Sequence, residues 1–207
     1  MNLFKCRAAL SVCLCVLFGF LTSCSKDREN AINAFNEVVS GKYVFNMAYI
    51  ISEDWLIDLD GDSDGAGNMV SMLEYDNVQV LADSFGGYVD PITDVGVKGK
   101  IYLKFPLQNI WIEDDGSYST VRLPLITGLT FSYAVNMDGS VDVLPEVDYT
   151  EVTCLMKMNE HRYISEDNAE IMQLSEGRIS MEVNIGYYDY ISQSLGNCRV
   201  MVVYYKA

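Results

Sequence analysis

The chain has 207 residues, half of them hydrophobic, and its 29 acidic residues outnumber its 14 basic residues, so the formal charge at pH 7 is −15. This balance argues against nucleic-acid binding, which needs basic residues to displace counterions from phosphates. It also argues against purely electrostatic attachment to anionic lipid headgroups. The length suits one domain with a substantial core, and no repeat or low-complexity linker divides it.

The first residues have the pattern of an export signal. Lys5 and Arg7 precede an apolar run over residues 8–20, which is shorter than the roughly 20 residues that a membrane-spanning helix needs. The small residues Thr22 and Ser23 then stand directly before Cys24. The stretch from Leu21 to Cys24 resembles the lipobox of bacterial lipoproteins. The resemblance implies cleavage before Cys24 and acylation of this cysteine, whereas the alternative is an ordinary secretory signal.

The resemblance divides the chain into three parts. Residues 1–23 are the signal peptide, residues 24–30 are the lipidated cysteine and a short tether, and residues 31–207 are a single domain. An extended tether of six residues reaches only about 20 Å, so the domain is expected close to the lipid surface. Ser25, next to the lipid site, is compatible with the outer membrane. The implied location is the cell envelope, with a lipid anchor and either leaflet open.

Six cysteines reduce to two in the mature chain. Cys6, Cys13 and Cys15 leave with the signal, and Cys24 is the lipid site. Cys154 and Cys198 remain, both in strand-like segments. A disulfide between them would stabilise the fold by roughly 4 kcal/mol in the chain-entropy model. The alternative is a pair of buried free thiols.

One helix and many strands are expected after the tether. Ile32, Phe35 and Val39 recur at helical spacing, and Gly41 follows where a C-terminal cap belongs. Alternating apolar residues, typical of strands, occupy residues 43–49, 101–105, 131–137 and 181–187, and a largely apolar run occupies residues 198–205. The last of these runs is apolar on both faces, which favours a central strand.

Glycine dipeptides are expected to separate the strands. Asp138-Gly139 predicts a hairpin turn, Gly86-Gly87 a break, and Gly196-Asn197 a turn into the last strand. Short strands punctuated in this way indicate an all-β domain, an antiparallel barrel or sandwich of about eight to ten strands, with a short N-terminal helix.

The overall plan carries a second resemblance. A lipobox, a short helix, the strand that begins at Gly41 and the segment "WLIDLDGDSDG" (55–65) resemble small Bacteroidota-type lipoproteins of unknown function. These proteins often have a lipocalin-like barrel, and many carry an aspartate-rich loop after an early strand. The resemblance implies a fold and a location and does not imply an activity.

The aspartate-rich segment matches half of a calcium-binding loop. In an EF-hand loop, oxygen ligands come from alternate positions around a glycine in the sixth place. Counting from Asp60 puts Gly65 sixth and gives these candidate ligands: Asp60, Asp62, Asp64, the Ala66 carbonyl and Asn68.

The second half of the calcium motif is missing. The twelfth place is Ser71, where a glutamate normally completes the shell, and Glu74 lies three residues further on. The candidate set therefore needs Glu74 as its last ligand. The alternative is a solvated acidic turn, since aspartate and glycine are favoured in turns for local backbone reasons.

No catalytic motif is present, and His161 is the single histidine. Trp55 stands beside the aspartate-rich segment, and Trp111 stands beside the acidic residues 113–115. Both tryptophans are therefore expected near strand ends. There they either line a ligand site or pack in the core. The leading interpretation is an envelope lipoprotein that binds a small molecule or glycan, with calcium as the only candidate cofactor. The alternative is a lipoprotein that docks onto another envelope protein, and a carboxylate-dependent hydrolase ranks third.

Overall fold

The computed structural model describes residues 26–51, 57–59, 61, 85–146, 169–175 and 177–207. Within these ranges the chain forms one helix, α1 (residues 26–39), and eight strands. The strands are β1 (Gly41–Ile50), β2 (Gly86–Val89), β3 (Gly99–Ile112), β4 (Tyr118–Val135), β5 (Val141–Glu146), β6 (Ala169–Ser175), β7 (Arg178–Asp189) and β8 (Ser194–Lys206).

All eight strands belong to one antiparallel sheet in the order β5-β4-β3-β2-β1-β8-β7-β6. Each strand pairs with its neighbour in sequence, except that β1 pairs with β8 and β5 does not pair with β6. The sheet curls until β5 and β6 approach one another, which makes a nearly closed barrel. The prediction of an all-β fold with a short helix is confirmed, and the barrel is the correct alternative.

The helix begins at residue 26, earlier than the apolar spacing indicates. Residues 26–30, which were expected to be extended tether, form its first turns. Their side chains are mostly exposed, so they leave no apolar pattern. Asp27 and Glu29 favour helix at this point, because acidic side chains stabilise the positive end of the helix dipole.

Two of the strand boundaries predicted from glycine residues were wrong. Gly86-Gly87 lies inside the sheet, as the start of β2. A Cβ at Gly86 would lie 2.8 Å from the Tyr43 carbonyl oxygen, so these glycines permit close backbone approach. Gly196 is likewise inside β8, and the preceding turn is made by residues 190–193. The hairpin turn at Asp138-Gly139 is confirmed between β4 and β5.

The inward side chains of β1, β3, β7 and β8 pack into one core. Among the most deeply buried are Ile101, Leu103, Phe105, Met181, Val183, Val202 and Tyr204, each at most 1% exposed. Side chains with so little accessible surface leave no room beside them for a water molecule, so this part of the interior is close-packed. The central position of the last strand is also confirmed, since β8 lies between β7 and β1.

The barrel has two distinct ends. The helix end carries α1, the β2–β3 loop (residues 90–98) and the β4–β5 turn (residues 136–140). The far end carries the β3–β4 turn (residues 113–117) and the β7–β8 turn (residues 190–193). No helix in the described parts of the chain is both long and apolar enough to cross a membrane.

Candidate functional site

The aspartate-rich segment enters the far end of the barrel through buried residues. Ile57, Asp58 and Leu59 are each at most 3% exposed. The N–H of Asp58 donates to Asp189 Oδ1 at 3.1 Å, and the N–H of Tyr190 donates to the Asp58 carbonyl at 3.0 Å. These two hydrogen bonds attach the start of the segment to the end of β7.

The side chain of Asp58 shapes the turn that follows. Its Oδ1 accepts the N–H of Gly61 at 2.7 Å. Gly61 has a φ of +82°, a left-handed conformation that suits glycine. Its Cα also lies against the ring of Tyr190, where a Cβ would be 3.4 Å from the nearest ring carbon. The first turn of the aspartate-rich segment is therefore fixed by local geometry.

Asp189 is the acceptor on which this attachment depends. Besides the N–H of Asp58, its carboxylate accepts the N–H groups of Ile191 at 3.2 Å and Ser192 at 3.1 Å. Burial alone raises the pKa of this carboxyl, but the hydrogen bonds from Ser192, Asp58 and Ile191 outweigh burial, and the pKa lies below its ordinary value. Asp189 is thus held ionised, and both of its carboxylate oxygens accept backbone N–H groups.

Gln108 makes the second attachment of the segment. Its Nε2 donates to the carbonyls of Leu59 at 2.7 Å and Tyr188 at 2.9 Å, and its Oε1 accepts the N–H of Tyr188 at 2.7 Å. The register of β3 against β4 shifts between Leu107 and Asn109, so Gln108 lies at a β-bulge. The bulge allows a buried amide to join β3, β7 and the aspartate-rich segment.

Three tyrosines stack beside these attachments. The rings of Tyr118 and Tyr188 are 5.5 Å apart, and those of Tyr188 and Tyr190 are 5.1 Å apart in an edge-to-face arrangement. Tyr188 is buried, whereas Tyr118 and Tyr190 are half-buried. The far end therefore presents partly accessible aromatic rings next to the entry of the aspartate-rich segment.

The neighbouring β3–β4 turn is acidic. Glu113, Asp114 and Asp115 are all exposed. The side chain and backbone of Ser117 donate to Asp115 and lower the pKa of its carboxyl. The Ser119 hydroxyl donates to Glu113. The turn thus adds three exposed acidic side chains to the far end, two of which accept hydrogen bonds within the turn region.

Most of the predicted site residues lie outside the described parts of the chain. These are Cys24, Trp55, Asp60, Asp62, Asp64, Ala66, Asn68, Glu74 and Cys154. Trp111 lies in β3 with its backbone opposite Ser119, close to the far end as expected, although its side chain is not described. Within the described ranges, no group of three metal-binding side chains comes together.

Cys198 is buried in β8, opposite Ile185, and carries a free thiol. Burial raises the pKa of this thiol to about 12. Its predicted partner, Cys154, lies outside the described residues, so the disulfide stays a prediction.

Sequence reasoning did not identify Gln108 or Asp189. A signal for Gln108 was available in the sequence. The apolar residues of β3 occupy every second position through Phe105 and Leu107, but the next one, Ile110, is three positions further on. A change of parity within a strand indicates a bulge. Asp189 directly precedes a polar turn, the position where aspartate commonly accepts backbone N–H groups. Its role in fixing a segment more than a hundred residues away has no local signal.

Comparisons of the chain with protein-family models, with curated proteins and with solved structures found no match.

Proposed function

We propose that this protein is a lipid-anchored protein of the cell envelope, held at the membrane by acylated Cys24. In this proposal the far end of the barrel binds a small molecule or glycan. The observation that carries the proposal is the double attachment of the aspartate-rich segment by Asp189 and Gln108. A loop fixed at its entry loses less conformational freedom when it engages a ligand. Function is commonly placed on such loops, held by a rigid scaffold.

The far end suits recognition better than the barrel interior. The described inward side chains of β3, β7 and β8 are almost completely inaccessible to solvent. Tyr118 and Tyr190 are partly accessible at the far end, and Trp55 and Trp111 are close to it in sequence or along β3. Aromatic faces beside carboxylates suit sugar rings, which present C–H groups and hydroxyls together.

Calcium is the proposed cofactor of this end. Asp60, Asp62, Asp64, the Ala66 carbonyl, Asn68 and Glu74 would supply the hard oxygen ligands that calcium prefers. The fixed turn from Asp58 to Gly61 supports this role, because it starts the loop in a defined conformation. Calcium would then hold the loop in shape, and the aromatic residues would contact the ligand.

A glycan array tests the proposal directly. The full-length lipidated chain, purified in detergent, is applied to an array of bacterial and host oligosaccharides with calcium present. We expect saturable binding to one structural class of glycan and its loss in the Trp55→Ala and Trp111→Ala variants. Tyr205→Ala is the matched control, because Tyr205 is exposed on the outer surface of β8. An array without signal, or binding that both tryptophan variants retain, would contradict the glycan proposal.

One observation favours docking onto an envelope protein as a second candidate. Tyr88, Tyr102 and Tyr205 are exposed on the outer surface of the barrel, and Tyr88 lies directly opposite Tyr102 in the β2–β3 pair. Tyrosine is enriched at protein interfaces, because its ring offers contact area at small entropic cost. A photo-crosslinking residue at Tyr88 tests this candidate in intact cells. A discrete crosslinked protein that is absent with the same group at Asp142 would support docking.

The hydrolase alternative gains no support from Asp189. A glycoside hydrolase needs one carboxyl that stays protonated until it donates to the leaving group. Asp189 has a lowered pKa, and its oxygens accept three backbone N–H groups. Its place in the fold is that of a structural acceptor.

A further inference from the structure

The β2–β3 loop at the helix end has an apolar tip. Val95 is 47% exposed and Val97 is 49% exposed, and Gly96 stands between them with a φ of +91°. Ile92, near the start of the same loop, is buried at 4% exposure. The loop therefore uses one apolar side chain to pack against the protein and presents two others outward.

The loop is held rigidly, so the two valines occupy a defined position. The side chain of Asn36 in α1 donates to the Ile92 carbonyl at 2.8 Å and accepts the Ile92 N–H at 3.0 Å. The Tyr133 hydroxyl donates to the Asp90 carbonyl. The N–H of Val97 donates to the Asp94 carbonyl at 3.3 Å. The helix and the loop thus form one unit.

Other exposed apolar side chains share this end. Val38 on α1 is 37% exposed, and Met137 in the β4–β5 turn is 59% exposed. In the described turns of the far end, by contrast, Ile191 is the large exposed hydrophobic residue, and the exposed carboxylates of Glu113, Asp114 and Asp115 predominate. Among the described turns, the exposed apolar side chains are therefore more numerous at the helix end, which also carries exposed carboxylates at Asp94 and Asp138.

We propose that the helix end is the membrane-facing surface of the protein, and that the loop tip bearing Val95 and Val97 enters the interfacial region of a lipid bilayer. This inference rests on the proposed lipid anchor at Cys24. Helix α1 begins only two residues after this cysteine, and a helix of its length spans about 20 Å. Because Asn36 joins α1 to the loop, an anchor at Cys24 keeps the loop tip within reach of the same bilayer.

A bilayer surface fits this end chemically. The transfer of apolar side chains from water to the acyl boundary lowers the free energy. Lysine side chains can place their ammonium groups among lipid phosphates. Lys98 follows the two valines directly. The far end would then point away from the membrane, toward its ligand.

Depth-dependent fluorescence quenching tests the orientation. The full-length lipidated Val97→Cys chain carries the fluorophore NBD and is reconstituted into phosphatidylcholine vesicles with and without doxyl-labelled lipid. The matched control is Asp114→Cys, an exposed position in the far-end turn. Background labelling is measured on the unsubstituted chain, in which the buried Cys198 thiol with its raised pKa should react little.

We expect the doxyl lipid to remove most of the fluorescence at position 97 and little of that at position 114. An NBD group at position 97 that stays unquenched would overturn the inference. The same holds for an NBD group that is shielded from water but unquenched, because another protein or a second copy of the chain would then cover the loop. Co-sedimentation of the same samples with vesicles reports the lipid anchor separately. Sedimentation without quenching would overturn the orientation alone, whereas loss of both would overturn the anchor as well.

Discussion

The carboxylate of Asp189 accepts the backbone N–H of Asp58 at 3.1 Å, across 131 positions of sequence. This contact joins the end of β7 to the entry of the aspartate-rich segment. It gives the far end of the barrel a fixed point from which the segment extends. The same carboxylate also orders the neighbouring β7–β8 turn through Ile191 and Ser192.

Replacing Asp189 by asparagine should loosen this end of the barrel. The amide keeps one acceptor oxygen, which is uncharged, so the N–H groups of Asp58, Ile191 and Ser192 all lose a charged acceptor and part of the set loses its acceptor altogether. We expect a loss of about 1–2 kcal/mol in the free energy of unfolding, measured by urea denaturation. Hydrogen exchange should also accelerate at Asp58 and Ser192.

The matched control for this change is Asp138→Asn. Asp138 accepts the N–H and hydroxyl of Ser140 in the β4–β5 turn, but it is exposed. Water can replace the lost hydrogen bond there, so the free energy of unfolding should change by less than about 0.5 kcal/mol. Equal losses in the two variants would show that Asp189 acts only as a local turn residue.

The same carboxyl predicts how stability depends on pH. The pKa of Asp189 in the folded protein lies below its ordinary value of 3.8, so folding favours the ionised form. Its contribution is complete above the unfolded pKa and is lost as the pH falls through the lower folded pKa. The difference in unfolding free energy between the wild type and Asp189→Asn should therefore shrink under strongly acidic conditions. A difference that is the same at every pH would contradict this account.

Gln108→Leu should be more damaging than its small change in volume suggests. The substitution leaves the N–H and carbonyl of Tyr188 and the carbonyl of Leu59 without their partner inside the protein. We expect a loss of about 3 kcal/mol in the free energy of unfolding, because buried polar groups without partners are costly. Gln173→Leu, on the exposed side of β6, is the control and should cost little. A neutral Gln108→Leu variant would mean that water replaces the amide.

Cys198 should be unreactive in the folded protein. Its thiol is buried, and its pKa is raised to about 12, so almost no thiolate forms at neutral pH. We expect no modification by a thiol reagent before denaturation and rapid modification after denaturation without reductant. Mass spectrometry of the modified peptide provides the measurement. A cysteine that stays unmodified after denaturation would instead support the disulfide with Cys154.

Alternation of apolar residues was enough to predict the strands with one buried face. It located β1 and β7 correctly, but it predicted their buried faces only in part. The register of β1 shifts between Phe45 and Met47, so Ala48 and Ile50 are buried in place of Met47 and Tyr49. It failed at β2, whose Gly86 and Gly87 carry no side chain to show a pattern. Those glycines are needed because a Cβ at Gly87 would lie 2.7 Å from the Tyr102 carbonyl oxygen. This requirement arises only from the packing of neighbouring strands.

The candidate site was predictable only in part. The aspartate-rich segment is visible in the sequence, because closely spaced aspartates and glycines are unusual in a strand-rich domain. The residues that fix it, Gln108 and Asp189, come from strands far away in the chain. Their roles depend on the bulge in β3 and on the closure of the barrel, which bring these strands to one end. A local pattern can indicate the bulge at Gln108, but it does not show which distant groups the side chains of Gln108 and Asp189 contact.

The central claim is that the aspartate-rich segment is a ligand-bearing loop held at the far end of the barrel. A calcium titration followed by thermal melting, with and without chelator, tests this claim most directly. The account predicts a melting temperature that rises and saturates with calcium, an effect lost in Asp60→Ala and Asp62→Ala and retained in Asp94→Ala, which alters the opposite end. A melting temperature that millimolar calcium leaves unchanged would contradict it and would make the segment a solvated acidic turn.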